Sequence, residues 1–203
     1  MPQPFDQMAE FLANKNIALV GNSRKVLGQS FPVDDHDVVI RMNFAWQLPQ
    51  AMQEAVGTRT DLLCVSGAKK EINDMVATLP RVMYMSPKSR DLLTDATRQK
   101  LYFYPTEWWQ SLYETLGARP STGCMAVDMV RRVIGEGHLT LYGFDFFQSD
   151  SWHKRYSLLE RLRLWLGLQK PHPHDGDQEA AFIKAALPRE QLTIVPTRQS
   201  EAS

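Results

Sequence analysis

The sequence predicts a single α/β domain with a mostly parallel, roughly seven-stranded sheet flanked by helices, and three observations carry that prediction. Short β-rich runs alternate with helical patterns along most of the 203 residues. Several of those runs are apolar nearly throughout, as strands covered on both faces must be. A hydrophobic fraction of 43% over this length suffices for one substantial core and falls short of two, so residues 1–203 are read as one domain.

The elements follow in order. A helix is expected over 5–14, within an N-terminal segment of 1–15, and leads into the strand "NIALV" (16–20). The strands "DVVIRM" (37–42), "DLLCVS" (61–66) and "RVMYMS" (81–86) come next, with a helix expected over 70–79. "KLYFYP" (100–105) is followed by helices over 106–117 and 122–135, then by "HLTLYGF" (138–144). Helical patterns over 156–168 and 176–187 precede the last strand, "LTIVP" (192–196), and a polar, flexible tail over 197–203. The alternation is that of a Rossmann-like sheet. The glycine spacing of a dinucleotide site is missing, because Gly21 is followed by Asn22 and Ser23.

Lys plus Arg and Asp plus Glu both total 23, so no global charge draws the chain to nucleic acid or an anionic membrane. The first sixteen residues carry acids and amides where a signal peptide has a basic segment and an apolar run, and no stretch approaches the roughly 20 apolar residues of a transmembrane span. Cys64 and Cys124 lie in apolar runs without metal-like spacing and read as small buried hydrophobes; a disulfide between them stays open.

Open parallel sheets bind ligands outside the carboxyl ends of their strands. Gly21, Asn22 and Ser23 follow the first strand, Asn43 the second and Asp145 the sixth. "PSTG" (120–123) opens a helix with free backbone N–H groups and two hydroxyls, an end suited to phosphate. Read one at a time, Ser121 or Thr122 is as well explained as a helix cap, and Asn22 and Asn43 as turn residues.

Taken as an ordered set, these pieces resemble the sialyltransferases of glycosyltransferase family 29. "VGNS" (20–23), "DHDVVIRMN" (35–43) and "VGTRTDL" (56–62) are similar to that family's large sialyl motif, and "RPSTGCMAVDMV" with "LYGFD" to its small motif. "WH" at Trp152 and His153 falls near the third motif, and "HDGDQE" (174–179) resembles the very short motif, a histidine with a glutamate five positions on. The resemblance implies a sialyltransferase-type fold and a CMP-sugar donor, CMP-sialic acid or similar. It implies a glycan acceptor, inversion at the anomeric carbon, and neither metal nor cofactor. It carries Asn22, Asn43, Ser121, Thr122 and Gly123 over as donor contacts, with Ser23 and Phe144 from the same motifs as further substrate-binding candidates.

His174 matches the family's catalytic base, a role that a reference pKa near ~6.5 suits at neutral pH. A capping arrangement of Asp175 and Gln178 is the plain reading of the same stretch, and the two are compatible. Glu179 either orients the imidazole or holds the helix. The chain departs from the third motif in reading "HKRYS" (153–157): His153 matches the residue before that motif, and Lys154 falls where its histidine is expected. His153 is thus a second catalytic candidate and Lys154 a phosphate-binding one; the plain reading makes both ordinary surface residues.

Secretory relatives join the large and small motifs by a disulfide, whereas the corresponding positions here are Ile17 and Arg131. The resemblance is therefore to a cytoplasmic, bacterial version. Leu158, Leu159, Leu162, Trp165 and Leu166 share one helical face, read as packing on the domain, with a dock for a lipid-linked acceptor as the alternative. Of Trp108 and Trp109, adjacent on a helix, at least one is expected in the core and the other is free to stack on a sugar. Transfer of Kdo from its CMP ester and a non-catalytic CMP-sugar binding module are the rival readings.

Overall fold

A computed structural model of the chain describes residues 1–67, 71–145 and 176–196. All seven expected strands are present: β1 Asn16–Val20, β2 Val38–Met42, β3 Leu62–Val65, β4 Val82–Tyr84, β5 Tyr102–Phe103, β6 His138–Tyr142 and β7 Leu192–Ile194. They form one sheet in the order β5-β4-β3-β2-β1-β6-β7. Every pairing is parallel; Ile17 stands beside Val38 on one side and Leu139 on the other.

Both faces are covered, which is why the strands read as continuous apolar runs. Ile17, Leu19, Val38, Ile40, Leu139 and Leu141 point into one core. That core is shared with α1 (Phe5–Leu12), α5 (Thr106–Leu116), α6 (Thr122–Val133) and α7 (Gly176–Lys184). The alternate residues Ala18, Val20 and Val39 meet α2 (Gln50–Val56) on the opposite face. There Leu63, Val65, Val82 and Tyr84 meet α3 (Ile72–Thr78). A one-turn α4, Asp95–Arg98, lies between β4 and β5.

The expected helix over 156–168, with its apolar face, lies outside the described residues, as does the tail at 197–203. Two helices escaped the sequence reading. Gln50–Val56 is seven residues and Asp95–Arg98 four, too short for an apolar periodicity to emerge. The helix expected over 5–14 stops at Leu12, and Asn14 adopts a left-handed φ of 56°.

The disulfide left open by the sequence is absent: Cys64 and Cys124 are both free and buried. Burial pushes the Cys64 thiol up to about 12 and raises that of Cys124 as well, where Glu179 and Asp128 add to the effect. Neither is then a usable thiolate at neutral pH. Titration with a disulfide reagent is expected to find no reactive thiol in the native chain and both in denaturant; a reactive thiol in the native chain would contradict this packing.

Candidate active site

The chain runs outward from β1 to β5 and then returns to lay β6 on the other side of β1. This reversal opens the crevice where doubly wound sheets hold ligands. At its base the two strand ends nearly touch: Gly21 N–H donates to the Tyr142 carbonyl at 2.7 Å and Ser23 N–H to that of Gly143 at 3.3 Å. A Cβ on Gly21 would stand 2.3 Å from the Gly143 oxygen, and Gly143 itself has φ 66°. Only glycine fits such an approach. Gly21→Ala must push one backbone off the other and is expected to lower stability by about 2–3 kcal/mol, read by urea unfolding.

Ser23, 4% exposed, caps the short 3-10 turn Arg24–Val26 by accepting from Lys25 N–H and donates its own hydroxyl to Asp145 Oδ2 at 2.9 Å. Asn43 begins another 3-10 turn, Asn43–Trp46, with a left-handed φ of 53° that asparagine tolerates. Its side chain accepts from Ser66 N–H at 3.2 Å and donates to Thr122 Oγ1 at 3.3 Å, while Thr122 donates to Ser66 Oγ at 2.8 Å. One amide thus ties the ends of β2 and β3 to the start of α6. An amide makes up to four hydrogen bonds, so among the described residues Asn43 keeps one N–H and one lone pair beyond these.

Ser121 caps α6, accepting from Cys124 N–H at 3.1 Å. Its own N–H donates to Glu179 Oε1 at 2.7 Å, and its hydroxyl donates to Glu179 Oε2. Both hydroxyls of "STG" are therefore engaged within the protein. Among the described residues, the donors left on this helix end are the first-turn N–H groups of Thr122 and Gly123. Phe144 covers both ligand-edge glycines, since a Cβ on Gly21 would lie 3.1 Å from its Cδ2 and one on Gly123 3.3 Å from its Cε1.

Glu179 is 2% exposed, and its carboxylate faces the positive end of α6. It holds α7 to α6, one of the two roles the sequence left open for it; the imidazole of the other role, that of His174, lies outside the described residues. Glu179→Gln keeps the shape but turns an amide donor toward one of the two Ser121 donors. The expected loss is about 1.5–3 kcal/mol, with faster hydrogen exchange at the Ser121 amide.

The rest of the large-motif stretch fastens loops at the other edge of the sheet. Arg41 is fully buried on β2 and donates to the carbonyls of Arg59 at 2.8 Å and Val56 at 2.7 Å, with Asp34 3.7 Å away. Burial lowers its guanidinium to about 10, against the opposing pull of Asp34 and Asp61. Arg59 in turn donates to the carbonyls of Asp34, His36 and Asp37 and pairs with Asp61 at 2.8 Å. Sequence reasoning missed Arg41. The available signal was a lone arginine inside an otherwise apolar strand.

The structure thus brings Asn43, Ser121, Thr122, Gly123 and Phe144 together at one crevice, with Asn22 and Ser23 on its β1 side. His153, Lys154 and His174 lie outside the described residues. Trp108 and Trp109 are both half-buried against the core, so neither is wholly inside it as one was expected to be: Trp108 packs edge-on to Phe5 and Tyr104 with the Arg132 guanidinium 4.8 Å from its ring. Trp109 stacks on Tyr113 at 5.3 Å. Arg131 pairs with Asp128 at 2.6 Å and lies over Phe182 of α7.

This geometry defines a class: a doubly wound parallel α/β protein whose switch-point crevice is lined by side-chain amides, helix-start N–H groups and one aromatic ring. Among solved structures, the chain matches a mammalian sialyltransferase in complex with Gal-beta-1-3GalNAc-ortho-nitrophenol. That match is 20% identical, covers 94% of this chain and 72% of that one, and has a TM-score of 0.62. It also matches a second mammalian sialyltransferase structure at 19% identity, covering 98% of this chain and 81% of that one, with a TM-score of 0.60. The protein has the sialyltransferase fold. No family model and no curated protein matches the sequence. Among the described residues no helix is long and apolar enough to cross a membrane.

Proposed function

We propose that the chain is a cytoplasmic glycosyltransferase that moves sialic acid, or a similar acidic sugar, from its CMP ester to a glycan hydroxyl. The observation that carries the reading is the meeting of Asn43, Thr122 and Ser66 beside the Phe144-covered crevice, in a chain with the sialyltransferase fold. The crevice lacks the glycine-spaced loop after β1 that a pyrophosphate site uses. It presents instead amide groups that suit a base and a ribose, and the N–H groups of Thr122 and Gly123 for one phosphate.

In the proposed reaction the acceptor hydroxyl attacks the anomeric carbon as the bond from that carbon to the phosphate oxygen breaks. CMP leaves with the bonding electrons, the hydroxyl proton passes to His174, and the anomeric centre inverts. No metal takes part in this reading. Negative charge grows on the phosphate as the bond breaks, so fixed donors at the start of α6 accelerate the step. His153 and Lys154 are proposed to supply further positive charge there.

The test is incubation with CMP-sialic acid or CMP-Kdo and a panel of glycan acceptors, in EDTA, with CMP release and glycosylated product as readouts. Transfer supports the proposal, and the preferred donor names the sugar. Stabilisation by UDP or NAD but not by CMP in a thermal-shift panel refutes it; a ligand at 100 times its Kd adds roughly 2.7 kcal/mol. Binding of the CMP-sugar without turnover on any acceptor would instead make the chain a binding module.

A further inference from the structure

We infer that the cavity between the Asn43–Trp46 turn and α2 is a subsite for a neutral sugar ring of the glycan acceptor, an inference that rests on the function proposed above. The cavity has a volume of about 540 Å³ and seven lining residues, within the range of small-ligand sites. Its chemistry is selective. The lining offers one indole (Trp46), two carboxamides (Gln47 and Gln53), one hydroxyl (Thr58) and three apolar side chains. It has no charged side chain, although 23% of the chain is charged.

An anion finds no counter-charge there, which favours an uncharged ligand over the phosphate and the acidic sugar of a donor. A pyranose without charge fits: its apolar face lies against an indole, and its ring of hydroxyls needs groups that both donate and accept, as carboxamides do. Gln47 is exposed, and its carboxamide makes no hydrogen bond among the described residues. Gln53 donates to the Leu48 carbonyl at 2.7 Å and so shapes the loop, which leaves its amide oxygen to accept.

The cavity also stands in the right place. Trp46 is three residues after Asn43 in the same 3-10 turn. Three residues of chain reach at most roughly 10 Å, about the length of a disaccharide. A disaccharide with one ring against Trp46 can therefore present its other ring at the crevice that Asn43 borders.

The experiment measures lactose binding to the full chain by saturation-transfer NMR, with glucuronic acid as the charged comparison, in wild type, Gln47→Ala and Trp46→Leu. Lactose is expected to bind in preference to glucuronic acid, and Gln47→Ala to weaken it about tenfold, the worth of one good hydrogen bond. In turnover assays the same variant should raise acceptor KM by a similar factor and leave donor KM and acceptor-independent CMP release unchanged. Equal lactose binding by wild type and Gln47→Ala, or preference for glucuronic acid, overturns the subsite. Trp46 is half-buried and its variant risks misfolding, so the exposed Gln47 decides the outcome. Gln47-dependent lactose binding in a chain that neither binds nor turns over CMP-sugars would leave the sugar site standing and remove the functional reading. Transfer with an unchanged acceptor KM would do the reverse.

Discussion

Asp128→Ala is expected to lower stability by about 3–5 kcal/mol, the usual consequence of removing one partner from a buried charged cluster. Asp128 is fully buried on α6 and serves three groups at once. It accepts from the Tyr104 hydroxyl at 2.5 Å and pairs with Arg131 at 2.6 Å and Arg132 at 2.9 Å. The two arginines are about a third exposed and regain water when the carboxylate goes; the Tyr104 hydroxyl, on a fully buried residue, does not. The loss is read from the urea midpoint at pH 7, and Asp128→Asn should recover part of it by accepting from Tyr104.

The same cluster has a pH signature. Burial, and then the hydrogen bond to Asp128, hold the Tyr104 phenol well above its ordinary value of 10. A raised acid stays protonated in the folded state, so its contribution is complete below pH 10 and is lost as pH rises beyond it. The slope for one such group is about 1.4 kcal/mol per pH unit. Tyr84 and Tyr142 are raised by burial as well and add to the alkaline loss. The share of Tyr104 is therefore the difference between wild type and Tyr104→Phe over pH 10 to 11. Parallel curves would mean that the hydroxyl is not held as described.

His174→Ala is expected to reduce kcat by about 10²–10⁴-fold, the range for loss of a general base, if the proposed function holds. Two readouts separate loss of the base from loss of the fold. Stabilisation by CMP should be unchanged, because donor contacts are proposed at Asn22, Asn43, Thr122 and Gly123. In the unsubstituted chain, turnover should fall as pH drops below the reference histidine value near ~6.5, as the base takes up its proton. Retention of turnover within tenfold of wild type would remove His174 from the mechanism. Asn43→Ala should act oppositely: it leaves Ser66 N–H and the Thr122 hydroxyl without their amide partner and weakens donor binding.

All seven strands and their largely parallel arrangement were legible in the sequence, as was the polar character of the loops that follow them. The reason is that a strand covered on both faces writes its burial locally, as in "NIALV" or "DLLCVS". The glycine in "GNS" was legible as a departure from a dinucleotide loop, but its necessity was not, since the obstructing atom is the carbonyl of Gly143, 122 residues on. Asp128 left a visible trace, an acid in the middle of "CMAVDMV", that periodicity alone cannot interpret.

The sequence by itself determined that this is one mostly parallel α/β domain and which loops follow its strands, because the apolar character of a covered strand is a local record of burial. Only the tertiary structure decided what the polar side chains do there. It engaged Ser121 with Glu179 across 58 residues, Asn43 with Thr122 across 79 and Tyr104 with Asp128 across 24. A buried polar group must find its partner in space, and nothing in its immediate neighbours along the chain says which partner that will be.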